Sequence, residues 1–176
     1  MSRFATAVST GQALNVPMNK AGFVSFINDG KKAIGTGNLN GCTAIMIVSK
    51  RGAILAHISP LPYPTTDAQA AKNHTREQMG KLLDILRNEK DFRLAPDVKT
   101  SGIVCGVFEG TIALPDQKNL IEDILLENLE DNPMPRVLKY NIQEPAARSP
   151  AAGTVFIDGS GPEPKVYLED VDQGWF

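Results

Sequence analysis

Four side chains in this sequence can carry thiol or imidazole chemistry: Cys42, Cys105, His57 and His74. Two cysteines and two histidines are too few for a disulfide-rich scaffold, a multi-cysteine zinc module or a His-rich metal tract. They suffice for nucleophilic catalysis. There a thiolate attacks a carbonyl carbon, and a neighbouring imidazolium lowers the thiol pKa and raises the thiolate fraction. Cys42 and His57 are the pair whose spacing permits this. Residues 42–48 and 53–58 are apolar and β-rich, and they flank Ser49-Lys-Arg-Gly52, which reads as a hairpin turn. With Ser49 facing Gly52, His57 lies opposite Ala44, two residues from Cys42. Side chains alternate between faces, so Cys42 and His57 project to the same side as diagonal neighbours, about 7–8 Å apart at the backbone. A register shift of two sets them directly opposite; a shift of one parts them onto opposite faces.

The segment before Cys42 adds a second requirement of acyl chemistry. Residues 35–41 hold three glycines and two asparagines, and Gly41 has no side chain in the way of a ligand. Backbone N–H groups around Asn40, Gly41 and Cys42 can therefore converge on an oxyanion. Thr36, Asn38 or Ser59 can supply the group that orients the imidazole. Cysteines on such hairpins are commonly small buried hydrophobes, so the pair alone leaves a structural role open. Cys105 lies in an apolar run and reads as a core thiol. His74 reads as solvated or as capping something locally; with no second histidine four residues on, no metal is expected.

Around these residues the chain shows an α+β pattern. Strand signals fall at 21–28, 42–48, 53–58, 102–108, 136–142, 154–157 and 165–168. Thr65-Thr66-Asp67 offers an N-cap for a helix running to about Glu89, with Ala71, Thr75, Met79, Leu82, Leu83 and Leu86 at helical spacing. A second amphipathic helix starts at Pro115-Asp116, and its acidic face, six Asp or Glu against one Lys over 116–131, suits solvent or a basic docking partner. Strands adjacent in sequence predict mostly antiparallel, sandwich-like sheets flanked by two helices, in one domain over 1–176. Residues 1–20 read as a loose arm, residues 143–153 as a loop, and Trp175-Phe176 as a tail that could anchor on the core or an oligomer interface.

Composition narrows the partners. Lys plus Arg is 18 against 20 Asp plus Glu, a net charge of −2, which argues against a nucleic-acid surface. No stretch approaches the ~18 apolar residues of a membrane span, so no membrane association is expected. Residues 1–20 lack the apolar run and small-residue cleavage site of a signal peptide, and a cytoplasmic setting with free thiols is expected. Export by a route that leaves no such signal is compatible with the same residues.

Thr36-Gly-Asn-Leu-Asn-Gly-Cys42, followed by a hydrophobic strand and Gly52-Ala-Ile-Leu-Ala-His57-Ile-Ser-Pro60, resembles the active-site hairpin of the cysteine-dependent glutamine deamidases. These include the bacterial chemoreceptor glutamine deamidases and the catalytic domains of the cytotoxic necrotizing factors. The resemblance covers roughly residues 35 to 60. It departs from the family at Asn40, where serine is frequent, and its Cys-to-His separation is closer to the toxins. It implies Cys42 as nucleophile, His57 as its partner and Thr36 as the orienting residue. It also implies a β-sandwich flanked by helices, no metal or organic cofactor, and a protein substrate presenting a glutamine. Asn40 and Gly41, with Asn38 and Ser59, are the candidates for oxyanion or substrate contact. A non-catalytic binding module of the same fold and a small-molecule cysteine amidase are the alternatives.

Overall fold

Apolar side chains on both faces of residues 43–58 need cover on two sides. The computed structural model supplies a second sheet on one side and helices on the other. The structure describes residues 1–129 and 133–176. The chain runs through α1 (Arg3–Ser9), β1 (Ala13–Asn15), β2 (Lys20–Ser25), β3 (Ala33–Thr36), β4 (Thr43–Ser49) and β5 (Gly52–Ile58). Helices α2 (Ala68–Asn88) and α3 (Lys90–Leu94) lead to β6 (Thr100–Phe108) and β7 (Thr111–Ile112). Next come α4 (Pro115–Asn128), β8 (Arg136–Asn141), β9 (Val155–Asp158), β10 (Lys165–Leu168) and β11 (Val171–Asp172). The class is α+β.

One sheet has the order β2-β5-β4-β6-β7, with β8 running parallel beside β6. The other has the order β1-β3-β9-β10-β11, and its β1–β3 pair is parallel. The remaining pairings are antiparallel. Met46, Leu55 and Val104 of the first sheet meet Ile34, Val155, Ile157 and Val166 of the second in one core. The first sheet's other face places Ile45, Ile47, Ile54 and Ala56 under Met79 and Leu82 of α2 and Ile121 and Leu125 of α4. Each such large side chain contributes roughly 1.5–3 kcal/mol when fully buried. The β4–β5 hairpin is the wall shared by both cores, and every residue of its two strands is buried. Helix α2 starts where expected, with the Asp67 carboxylate accepting the Gln69 N–H.

The first twenty residues are a correction. Ser2 caps α1 by accepting the Ala5 N–H, and Phe4 and Ala7 are buried against Phe156 and Tyr167 of the second sheet. Strand β1 is hydrogen-bonded along β3, and Val16 beyond it is buried. Gly35 lets this layer close, because a Cβ there would fall 2.5 Å from the Phe4 ring. A helix of seven residues and a strand of three are too short for periodicity to register, and their partners lie far along the chain. Helix α3, five residues long, is too short for periodicity to register in the same way. At the other end, Trp175 is buried, its Nε1–H donates to Thr100 Oγ1 (2.7 Å), and the Arg136 guanidinium stacks on its ring. The tail therefore anchors on the core. Glu130 and Asp131 of the expected acidic helix lie outside the described residues, and α4 itself ends at Asn128. Among the described residues no helix is long and apolar enough to cross a membrane.

Candidate active site

The hairpin has the register that a two-residue turn dictates: Ser49 pairs with Gly52, and Ala44 with His57. Cys42 sits one residue before β4, two before Ala44, so it shares the face of Ala44 and His57. That face is the one turned toward the second sheet, and Cys42 packs against the core there, half-buried at its rim. His57 is buried deeper, with 3% of its surface exposed.

The second sheet supplies the partner of the imidazole. Thr36, the last residue of β3, places Oγ1 2.7 Å from His57 Nδ1 and 2.7 Å from the Val16 carbonyl oxygen. These two contacts fix the tautomer. A carbonyl cannot donate, so the hydroxyl's single proton goes to Val16, and Oγ1 must accept from His57. The imidazole therefore carries its hydrogen on Nδ1. Nε2 keeps a free lone pair, and that atom is buried without a hydrogen-bond partner among the described residues. A buried basic nitrogen left unpaired is costly, and such groups concentrate at sites of chemistry.

Burial also sets the charge state. It pulls the His57 pKa down to about 4 and pushes the Cys42 thiol up. At neutral pH the shared face carries a thiol and a neutral imidazole, with no hydrogen bond between them among the described residues, rather than the imidazolium–thiolate pair that the residue types suggest. A neutral imidazole can take a thiol proton as general base, whereas only an imidazolium stabilises a standing thiolate.

The loop before Cys42 is held by residues far away in sequence. Gly41 has φ 114°, a left-handed conformation that only glycine adopts readily. Its N–H donates to the Tyr140 hydroxyl (2.8 Å), which in turn donates to the Cys42 carbonyl (2.7 Å). Burial raises the Tyr140 pKa to about 12, so the hydroxyl keeps its proton. The Asn40 side chain clamps the Gln143 backbone with two bonds of 3.0 Å. The Gly41 N–H is thus already paired, which corrects its place among the oxyanion donors; the Asn40 side chain is spent on Gln143, while the Asn40 backbone N–H makes no hydrogen bond among the described residues. Among the described residues the Cys42 N–H makes no hydrogen bond, and Asn38 is exposed with φ 60°.

Ser59 is committed elsewhere as well. Its hydroxyl donates to the Leu61 carbonyl (2.8 Å) and accepts from Asn19 Nδ2 (3.0 Å). His74 Nε2 lies 2.9 Å from the same hydroxyl, so His74 is a buried structural histidine rather than a solvated one. Cys105 is the core thiol expected, its pKa pushed to about 11 by burial.

Three contributors escape sequence reasoning: Met18, Asn19 and Tyr140. Residues 16–20 strap across the open end of the hairpin. The Asn19 N–H donates to the His57 carbonyl, and Asn19 Oδ1 accepts the Ser59 N–H. Met18 Sδ lies 3.9 Å from Cys42 Sγ. Only the Asn19 left-handed φ of 59° has a sequence signal, since asparagine tolerates that region better than most residues. Nothing local marks Tyr140, which arrives on β8 from 98 residues beyond Cys42.

No family model and no curated protein matches the chain. The site therefore rests on its own geometry: Cys42, His57 and Thr36 brought to one end of the hairpin, with Asn40, Gly41 and Ser59 holding the frame. Neither Cys42 nor His57 lines the hollow of about 560 Å³ between the C-terminal turns of α2 and α4 and residues 93–99. Among the described residues no three His, Cys, Asp or Glu side chains cluster as metal ligands.

Proposed function

We propose that the protein is a cysteine hydrolase of carboxamides that deamidates glutamine side chains of a protein, as the resemblance to the glutamine deamidases implies. The observation that carries this reading is the Val16–Thr36–His57 relay, which leaves a buried, unpaired Nε2 lone pair on the face that bears Cys42. In the first step His57 Nε2 takes the Cys42 S–H proton as the sulfur bonds to the carboxamide carbon. The carbonyl electrons move to oxygen, with the Asn40 and Cys42 N–H groups the donors of the loop that make no hydrogen bond among the described residues. The C–N bond then breaks, and nitrogen leaves as ammonia with the proton from His57. Water attacks the thioester, giving its proton back through His57, and the products are glutamate and free thiol. Thr36 holds the ring in the tautomer that every one of these transfers needs.

A non-catalytic module of the same fold is favoured by one observation, the burial that raises the Cys42 pKa. Alkylation of Cys42 by iodoacetamide across pH separates the two. Catalysis requires the rate to fall in His57→Ala and ammonia to be released from glutamine-bearing protein by the wild type but not by Cys42→Ser. An alkylation rate identical in both proteins at every pH overturns the hydrolase reading.

A further inference from the structure

Met18 is 54% exposed, yet its thioether lies in contact with the Cys42 thiol, Sδ to Sγ 3.9 Å. The backbone that presents it is pinned on both sides of the sulfur contact. The Lys20 N–H donates to the Pro17 carbonyl, the Asn19 N–H to the His57 carbonyl, and Lys81 Nζ to the Asn19 carbonyl. The Asn19 side chain accepts from the Ser59 N–H and donates to the Ser59 hydroxyl. Asn19 itself holds φ 59°, a region that residues other than glycine seldom occupy. These ties let the Met18 side chain re-pack but keep its backbone from withdrawing. The remaining surroundings of the thiol are unequal. On its inner side Cys42 packs against the core, whereas at Gly41 a Cβ would meet nothing within 4 Å. We propose that Met18 is a specificity-determining residue of the Cys42 site: its thioether walls one flank of the sulfur, and the slot left toward Gly41 admits a primary carboxamide but not an N-substituted amide such as a peptide bond.

This inference rests on the reading of Cys42 as a carboxamide hydrolase and deepens it, because it says which amides the thiol can reach. A side-chain carboxamide ends in –NH2 and arrives on a slim methylene chain. A peptide amide carries chain on both its carbon and its nitrogen, and the second arm has to pass the thioether or the loop. Methionine suits such a wall. It is unbranched, apolar and adaptable, so it can lie along the methylenes of a glutamine, and it has no proton to offer the carbonyl. A misfit of one methylene in an apolar contact changes a rate by roughly tenfold or more, which is the scale of discrimination expected here.

The test alkylates Cys42 in the reduced, full-length protein with iodoacetamide and with N-tert-butyliodoacetamide. The two reagents share the reacting carbon and differ in bulk on the amide nitrogen, and each rate is divided by that of glutathione. Cys105 is buried, and Cys42→Ser supplies its background. Wild type should prefer iodoacetamide by roughly tenfold or more. Met18→Leu, of similar bulk, should keep that preference, and Met18→Ala should lose most of it. Both variants change a half-exposed side chain, and Trp175 fluorescence checks that the fold is retained. An equal preference in wild type and Met18→Ala overturns the role of Met18, as does a wild type that shows none. The quantity read is a ratio of two reagents on one thiol, so activation of that thiol by His57 cancels from it. The iodoacetamide comparison of wild type and His57→Ala tests the hydrolase reading alone, and the two fail separately.

Discussion

Lowering the pH should destabilise the fold through His57, by an amount the structure defines. The unfolded imidazole titrates near 6.5, whereas burial lowers the folded value to about 4. A folded pKa below the unfolded one means that the unfolded chain binds the extra proton first. Stability is therefore full above pH 6.5 and is lost progressively as the pH falls toward 4. Across that interval the loss runs at about 1.4 kcal/mol per pH unit, which gives roughly 3 kcal/mol by pH 4. The cost has a definite location: a proton on Nε2 places a charge on an atom that is buried and has no partner, while the Nδ1–H bond to Thr36 is unchanged. His74 is lowered in the same direction, chiefly by burial, and adds to the slope with the same sign.

The assay is urea unfolding followed by the single tryptophan, Trp175, whose buried ring makes it a reporter of the core. Wild type and His57→Gln are compared at intervals between pH 7.5 and 4. The variant keeps the His74 contribution and loses that of His57, so the difference between the two proteins should narrow or reverse by about 3 kcal/mol on acidification. Parallel stability curves, with no change in that difference between pH 6.5 and 4, would refute the claim that His57 is held neutral by burial. That result would also remove the basis for a neutral general base at this site.

Thr36→Val should cost about 1–3 kcal/mol, because it strands both the His57 Nδ1–H and the Val16 carbonyl in a buried position. Thr36→Ser should recover most of that loss, and the two variants should rank in the same order in the His57-dependent part of the Cys42 alkylation rate. Tyr140→Phe removes the bridge between the Gly41 N–H and the Cys42 carbonyl, at about 1–3 kcal/mol. Amide hydrogen exchange at Gly41 should speed up in that variant while the β4 and β5 amides keep their protection.

The legible part of this molecule is the part whose interactions are local or periodic. The β4–β5 register follows from a two-residue turn, and with it the shared face of Cys42 and His57. The long helix α2 is visible through its Asp67 cap and its apolar spacing. Thr36 is one of three candidates, with Asn38 and Ser59, to orient His57, the choice among them rests on resemblance, and the contact itself crosses between sheets, from β3 to β5. Short elements were illegible: α1, β1 and α3 carry too few residues for a period to emerge, and they are held by long-range pairing. The hydrogen-bonding fate of the loop residues was illegible for the same reason. From sequence, Asn40 and Gly41 look like oxyanion donors. The Gly41 N–H is taken by Tyr140 and the Asn40 side chain by Gln143, on segments about 100 residues away, while the Asn40 backbone N–H makes no hydrogen bond among the described residues.

That distribution bears on how the site is built. The hairpin alone places a thiol and an imidazole on one face, but it leaves the ring free to rotate and both its nitrogens unassigned. Assignment comes from two separate pieces of chain: Thr36 at the end of β3 and the Val16 carbonyl just past β1. The residue that seems least informative, a carbonyl with no side-chain chemistry, decides the tautomer because it can only accept. The N-terminal twenty residues are therefore a working part of the site. Deleting them would remove the Val16 acceptor, the Asn19 tie to the His57 carbonyl and the Met18 thioether together, leaving the Cys42–His57 hairpin without the contacts that define its chemistry.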